Sequence, residues 1–572
     1  VEKKKSSDCK LDSFFKALTA DLDVLDARHT LDPRVKYAAA RLRLRMRKRA
    51  QYVRPGMAAR CIDEYLSFNA SLPDVTLDLN EEIVNNAREF IEHALTRYTY
   101  SVDQNDYGCL SKEHFESLWK FGPGASHGVD GTHAAIKIRQ KMSCTESCRP
   151  LVTNLRLSNP YFSAFDCVND GGTTVVSGSR LSTAPKNEDT VRIIAIEPSG
   201  NMVLQLAAGR YIEGALRYIG VDITKQEPLN KALALLGSIT GGVATLDLSK
   251  ASDRILPLLI RRLWPSNWYN LLVRLRSPTT EASDGSVHVL HMMSTMGNGF
   301  TFPMMTLTLL ALIYANRAVH HSLKRRLYID YNMTGVYGDD MIVPAHESGT
   351  LINVLTSAGL VVNVDKSYTE GPFRESCGGD YYKGWDVTPF YVEKLETHEE
   401  LYVALNKMCE WCGEQGVLLP LTVNTILRML DGPPLLVPEW HNPTEGWLCT
   451  QVSAKYKYLS STPMPLALCD CIFDTSLAVG GYIQQRIEPT NKKKGKSAKK
   501  VVDPSDESWG AFKPVEIGAT RVVCFEATCR ESPIVTRLRS SRLPRGYLDG
   551  RDAVKRTVRV AAWIQLIVSL SS

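Results

Sequence analysis

VYGDDMIV (Val336–Val343) places two short apolar β runs on either side of Gly338-Asp339. That pair suits a tight hairpin turn, with the glycine taking the positive φ. Asp339 and Asp340 then sit at a hairpin tip and point to neighbouring faces. Adjacent carboxylates on a rigid turn repel one another unless a cation neutralises them, and hard oxygen ligands suit Mg²⁺. At ~1/20 per position such a tetrapeptide arises by chance in roughly one chain in several hundred of this length, so the reading needs companions.

The first companion is ATLDLSKASDRI (Ala244–Ile255). It reads as a β run ending in Asp247, then a turn into a helix bearing Asp253. A carboxylate at a strand end, aimed beside a hairpin carrying Asp339, makes a two-metal site. Two ions about 4 Å apart bind the attacking and leaving oxygens of an in-line phosphoryl displacement. The second is STMGNGFTF (Ser294–Phe302), where glycines flank Asn298 and permit close backbone approach, and an amide there can read a sugar hydroxyl. Cations come from APKNEDTVRIIAIEPSGN (Ala184–Asn201), a basic hairpin-like segment with its strand at Val191 to Ile196; Lys186 and Arg192 flank that strand and suit a triphosphate. GLVVNVDKSY places Lys366 just beyond a strand, where it can protonate a leaving pyrophosphate. FRESCGGDYYKGWDVTPFYV (Phe373–Val392) reads as a β-hairpin, with Arg374, Tyr381 and Tyr382 suited to nucleic-acid backbone and sugar contacts. Taken singly each has a plainer reading: helix cap, surface charge, Asn-Gly turn, or tyrosines packed on a sheet.

The rest of the chain frames these pieces. It has 572 residues, 44% hydrophobic and 23% charged, with a net charge of +6. Those values exclude a wholly disordered chain, collagen and a small disulfide scaffold. The mild basicity is compatible with a polyanionic partner. Fourteen cysteines are scattered, many in apolar stretches, as reduced cytosolic thiols are. No apolar core follows the N-terminal lysines, so no secretory signal is expected. Phe300 to Ala315, interrupted by Pro303, Thr306 and Thr308, reads as falling short of a clean membrane span. The expectation is a soluble, intracellular protein. Asp32-Pro33 should open an arginine-rich helix (Arg41, Arg43, Arg45, Arg47, Lys48 and Arg49), either solvated or in contact with RNA phosphates or an acidic partner. Asn80 should cap another helix reaching Tyr98. Helices are expected over Met202 to Tyr218, Leu351 to Ala358 and Leu395 to about Leu430. Alternation of β and helical runs from Ala244 to Val392 predicts an α/β (α+β) fold with a helix-backed antiparallel sheet. NKKKGKSAKK (Asn491–Lys500) reads as a flexible basic loop.

The order Lys186…Arg192, Asp247-x5-Asp253, MGNGFTF, YGDD, Lys366 and FRESCG resembles motifs F, A, B, C, D and E of viral RNA-dependent RNA polymerases. The wording APKN…EP…NM, DLS-x-ASD, STMGNGFTF and FRESCG…YY-x-G-x-DV-x-PFY is similar to the replicase β subunit of the single-stranded RNA bacteriophages (levivirus-like). The resemblance is strong over about 184 to 395, weak through the N-terminal third, and slight after about 430. It implies template-directed RNA synthesis by a right-hand fold with fingers, palm and thumb. Residues 1–150 would be an N-terminal helical region and fingers extension, 151–240 fingers with motif F, and 241–395 palm with motifs A to E and a fingers insertion at about 262–295. Residues 396–470 would be thumb and 471–572 a C-terminal extension. It also implies two Mg²⁺ ions on Asp247 and Asp339 with Asp340 assisting, ribose contacts from Asp253 and Asn298, triphosphate contacts from Lys186 and Arg192, and Lys366 as general acid. The implied partners are single-stranded RNA template, NTPs, host elongation factors Tu and Ts and a large OB-fold ribosomal protein, in the cytoplasm of an infected bacterium.

Three features depart from those relatives: Pro303-Met304-Met305 where an acidic pair is usual, Lys250 and Arg254 in place of small polar residues around Asp247, and the 492–500 lysine run. A reverse transcriptase shares the two-metal palm but ordinarily has a different residue before its aspartate pair and lacks the Asp253/Asn298 pair. A basic RNA-binding protein explains the cationic stretches but gains nothing from carboxylates, which repel phosphate without metal. Zinc is the other reading set aside: Cys409-x2-Cys412, Cys469-x-Cys471 and Cys144-x3-Cys148 lack the regular spacing of two knuckles.

Overall fold

The computed structural model describes residues 2–27, 32–46, 53–104, 110–138, 140–158, 172–187, 189–321, 331–438 and 442–449, and beyond 450 the backbone of isolated strands between 455 and 540. Helix and sheet are mixed throughout, and the chain divides into two units, residues 1–46 with 389–572 and residues 47–388.

In the first unit Pro33 opens the Pro33–Met46 helix, and Asp32 Oδ1 accepts the Arg34 N–H at 2.8 Å. Arg43 on this helix is spent on Asp23 and Asp26, each at 2.8 Å, whereas Arg47, Lys48 and Arg49 lie outside the described residues. The helices expected between 395 and 430 are His398–Gln415 and Pro420–Met429. Thr397 and Glu400 form a reciprocal capping box at the first. The second is capped from the other end of the chain: the Asp21 carboxylate, 4% exposed, accepts Thr422 N at 2.8 Å and Thr422 Oγ1 at 2.7 Å. The C-terminal strands form two antiparallel three-stranded sheets. The Asn491–Lys500 run lies outside the described residues.

The second unit is organised by the Thr301–His320 helix, whose side chains are buried on every face from Pro303 to Arg317. It packs against Glu81–Val102 and Ser199–Tyr218, and Phe90 stacks on Tyr314 at 5.1 Å. By length and composition alone the helix is long and apolar enough to cross a membrane, contrary to the sequence expectation; Pro303 sits in its first turn, and Thr306 and Thr308 turn their hydroxyls back onto the Phe302 and Met304 carbonyls. Of its most apolar window 83% is buried inside the protein. Asn80 caps Glu81–Val102 through the Glu82 N–H, as the sequence predicts.

Beside this helical core lies a three-stranded antiparallel sheet in the order Val243–Leu246, Asp340–Pro344, Gly335–Tyr337. The Ile223–Thr240 helix covers one face. A second sheet contains the Ser179–Asn187/Thr190–Ile196 hairpin. A buried ion pair, Arg317 Nε to Glu347 Oε2 at 2.6 Å, ties the core helix to the residues following the three-stranded sheet, and Arg317 also donates to the Thr334 hydroxyl just before it. Both flanks of the Gly338-Asp339 hairpin are thereby held by one guanidinium.

Candidate active site

The hairpin forms at the predicted pair. Tyr337 faces Asp340 across the turn, and Gly338 has φ +62°. Only glycine fits there, since an added Cβ would lie 2.5 Å from the Phe302 ring. The Gly338 N–H donates to Thr306 Oγ1 at 3.2 Å, so the core helix fixes the turn. Leu246 pairs with Met341 on the neighbouring strand, which brings Asp247 to the same end of the sheet as Asp339.

Asp247 is heavily braced. Its N–H donates to Ser367 Oγ at 3.1 Å, its carbonyl accepts Asn363 N at 2.8 Å, and its Oδ2 accepts Asn363 Nδ2 at 2.9 Å. Lys366 Nζ stands 3.7 Å from the same oxygen. Burial pushes the Asp247 carboxyl up, Lys366 pulls it down, and the Asp339 charge pushes it up again. Asp340, next along the strand, does not line the cleft that Asp247 and Asp339 share. Burial, followed by repulsion from Asp339, raises its carboxyl to about 6, against an opposing pull from the Cys377 backbone. Among the described residues no group of three His, Cys, Asp or Glu side chains is gathered to hold a metal. Two carboxylates still fit Mg²⁺, which keeps several waters and takes its remaining oxygens from substrate phosphates. The mutual repulsion of Asp247 and Asp339 is what a divalent cation would relieve.

Two local expectations need correction. Asp253 lies on a 3₁₀ turn, Ser252–Arg254, rather than on a helix. The helix begins at Pro257, and a residue before proline is held extended, as Leu256 is. Lys366 likewise ends a 3₁₀ turn, Val364–Lys366, with no strand before it. The 361–368 segment runs beside the Val243–Leu246 strand and the residues after it, with bridges from Tyr368 to Thr245 and Val362 to Leu248, and braces Asp247 through Asn363 and Ser367.

Lys186 and Arg192 lie on the two strands of the basic hairpin, with Arg192 opposite Ala184 and a register shift at Lys186. The hairpin is fastened to the glycine loop by Ala195 N to Met296 O at 2.8 Å, and a Cβ on Gly297 would lie 2.3 Å from the Ala195 carbonyl. Asn298 is buried; its Oδ1 accepts Phe300 N at 3.0 Å, and its Nδ2 has no hydrogen-bond partner. Lys186, Arg192, Asp247, Asp253, Asn298, Asp339 and Lys366 all line one cleft of about 760 Å³. Asp253 is pushed up to about 6 by burial, against the opposing pull of Ser252 and Lys250.

Arg374 is corrected more sharply. It is 1% exposed and donates to the carbonyls of Val243 at 2.6 Å, Phe373 at 2.7 Å and Gly371 at 2.8 Å. Tyr381 and Tyr382 are each 8% exposed. The Phe373–Ser376/Gly379–Tyr382 hairpin is thus a strut under the sheet, and these side chains are not presented to nucleic acid. Lys250 and Arg254 are drawn onto the Phe68 ring, 4.2 and 5.1 Å from its centre.

Sequence reasoning missed Asn363 and Ser367, whose only signal was polarity beside a lysine. It also missed the support of the glycine loop. Gly299 N donates to Gln205 Oε1 at 3.2 Å, and Gln205 Nε2 donates to the buried Glu197 carboxylate at 3.0 Å. Ser277 Oγ donates to that same carboxylate at 2.6 Å. Burial pushes Glu197 up, opposed by those two donors.

A family model described as RNA replicase, beta-chain matches residues 70–464. The RNA-directed RNA polymerase subunit beta of Escherichia virus Qbeta is 37% identical over 297 residues, 52% of this chain and 48% of that one. The RNA-directed RNA polymerase beta chain of Enterobacteria phage GA is 40% identical over 320 residues, 54% of this chain and 58% of that one. The corresponding chain of Escherichia phage MS2 is 36% identical over 261 residues, 46% of each. The chain spans about half the length of the curated relatives it matches. Among solved structures, the RNA-dependent RNA polymerase of a human picorbirnavirus aligns over 74% of this chain and 82% of its own, at 11% identity and a TM-score of 0.46.

Proposed function

This chain belongs to the RNA replicase beta-chain family, and we propose that it is the catalytic subunit of an RNA phage replicase, synthesising RNA on an RNA template from nucleoside triphosphates. The observation that carries the reading is the convergence of Asp247, Asp339, Lys186 and Arg192 on one cleft. A carboxylate pair alone would repel a triphosphate and a cation pair alone would only bind one; together they suit phosphoryl transfer. In this reading the three-stranded sheet is the palm, the basic hairpin belongs to the fingers, and residues 396–470 are the thumb.

Asp247 and Asp339 would hold two Mg²⁺ ions, with Asp340 acting by its charge from outside the cleft. When bound, those ions supply activation of the primer 3′-hydroxyl and stabilisation of the leaving pyrophosphate. Lys186 and Arg192 grip the triphosphate and orient its α-phosphate. Lys366, its Nζ 3.7 Å from Asp247 Oδ2, would be the general acid for the departing pyrophosphate. Asp253 and the unpartnered Nδ2 of Asn298 receive the ribose 2′-hydroxyl, so a deoxynucleotide leaves a buried donor unpaired. Template RNA, NTPs, elongation factors Tu and Ts and a large OB-fold ribosomal protein are the proposed partners, and the bacterial cytoplasm is the proposed location.

The test is Mg²⁺-dependent incorporation of labelled NTP on single-stranded RNA, with the chain alone and with factors Tu and Ts, beside Asp339→Asn. Incorporation should fall at least about a thousandfold in the variant, with its melting temperature retained. An active variant sinks the site assignment. Silence of the unmodified chain even in lysate of a permissive host, together with tight RNA binding, turns the reading to a binding protein.

A further inference from the structure

The Met57–Ser71 helix carries none of the motifs, and its residues Tyr65, Phe68 and Asn69 all precede residue 70, where the family match begins. It nevertheless touches both segments that bear the proposed ribose contacts. On the Asp253 side, the Phe68 ring lies under Lys250 and Arg254, which bracket the Asp253 turn. Lys250 is held there in the left-handed region, at φ +50°, so the turn depends on what anchors that residue. On the Asn298 side, Asn69 Nδ2 donates to Val289 O at 2.7 Å and its Oδ1 accepts His291 N at 2.9 Å. Tyr65 Oη donates to the Met292 sulfur at 3.3 Å. Residues 289–292 run directly into Ser294–Phe302, the loop of Asn298.

The same helix also faces the cleft. Cys61, Glu64 and Tyr65, at i, i+3 and i+4, contribute to its lining. Tyr65 is 7% exposed, and a thioether is a weak acceptor for a buried phenol. Tyr65 lines the same cleft as Asp253 and Asn298, and burial first, then the Asp253 charge, push its phenol up. Asp253 itself accepts a hydrogen bond from Ser252 Oγ at a long 3.3 Å, and Asn298 Nδ2 donates none. Three polar groups with spare hydrogen-bonding capacity therefore line the one cleft: a carboxylate, an amide donor and a phenol. A sugar hydroxyl, which both donates and accepts, is the small group that would satisfy them together.

We propose that the Met57–Ser71 helix is the ribose gauge of this cleft, with Tyr65 a third sugar-facing residue beside Asp253 and Asn298, and with Phe68 and Asn69 positioning residues that set the gap between those two. The inference rests on the RNA-synthesis reading and adds to it a specificity element outside the motifs. Lys250 and Arg254, which depart from the relatives, then have a use: their cations clamp the Asp253 turn onto the aromatic ring of the gauge.

The experiment compares the full chain with Tyr65→Phe, Phe68→Leu and Phe68→Tyr, measuring kcat and KM for ATP and dATP on one RNA template and, in parallel, equilibrium binding of ATP and dATP. Tyr65→Phe removes one hydroxyl and should lower the ribo-to-deoxy ratio of kcat/KM about tenfold, mainly through a raised KM for ATP. Phe68→Leu should lower it comparably, and Phe68→Tyr, which keeps a ring under the cations, should restore it. An unchanged ratio in both Tyr65→Phe and Phe68→Leu overturns the proposal, as does an equal loss for ATP and dATP, the mark of a merely structural helix. An unmodified chain without incorporation even in lysate of a permissive host refutes the polymerase reading instead, and the binding ratios of the same proteins then decide the gauge by themselves.

Discussion

The hairpin at Gly338-Asp339 and the hairpin at Cys377-Gly378 are built alike: each closes on two residues, with Gly338 at φ +62°, Cys377 at +50° and Gly378 at +74°. Both carry charged residues that read, in sequence, as contacts for a nucleotide or nucleic acid. The first delivers Asp339 to an open cleft. The second turns Arg374 inward, where backbone carbonyls of Val243, Gly371 and Phe373 take up its guanidinium. The two hairpins even feel one another, for the Asp340 charge pushes the Cys377 thiol up. The lesson is one of competition: a charged side chain serves a ligand only where no buried backbone group already claims it.

Alanine at the two turn glycines should separate the hairpins most strongly. At Gly338 a Cβ meets both the left-handed penalty and the Phe302 ring 2.5 Å away, whereas at Gly378 nothing lies within 4 Å. Urea unfolding should show a loss of about 3 kcal/mol for Gly338→Ala and about 1 kcal/mol for Gly378→Ala. Equal losses would mean that Phe302 yields and that the core helix does not fix the first turn. Next in size, Arg374→Met should cost about 2 kcal/mol by stranding buried carbonyls, while the surviving folded fraction keeps its affinity for RNA. A selective fall in RNA affinity without loss of stability would return Arg374 to the nucleic-acid contacts its sequence suggests.

The smallest expected effect lies where the hairpins meet. Burial and then the Asp340 charge push the Cys377 thiol up to about 12. A thiol with a raised pKa stays protonated, and so unreactive, until the pH approaches that value. Alkylation of Cys377 at pH 8 should therefore be slow, and Asp340→Asn, by removing a negative charge that favours the protonated form, should speed it severalfold. Site-resolved mass spectrometry after iodoacetamide would measure this, and an unchanged rate would show that burial alone suppresses the thiol.

Short-range order was open to reading because it depends on neighbours a few positions apart. Gly338-Asp339 turned as its composition demands, Asn80 and Asp32-Pro33 opened their helices, and an apolar run became the buried Thr301–His320 helix. Asp253 reads as helical in the sequence and lies instead on a 3₁₀ turn, because the proline that delays the helix, Pro257, lies downstream of it.

Residue identity by itself determined which chemical groups this chain brings: carboxylates, cations and an amide, spaced along residues 186 to 366. Only the tertiary structure decided which of them meet. Asp247 and Asp339 come together because Leu246 and Met341 pair across nearly a hundred residues of sequence. Arg374 is withdrawn because the Val243 carbonyl, more distant still, lies within 2.6 Å of it. The Met57–Ser71 helix joins the segments that bear Asp253 and Asn298 through Phe68, Asn69 and Tyr65, whose partners lie some two hundred residues away. Local pattern encodes the direction of a side chain, but what waits at the end of that direction is set by packing between distant segments, and that competition assigns each polar group to the scaffold or to the substrate.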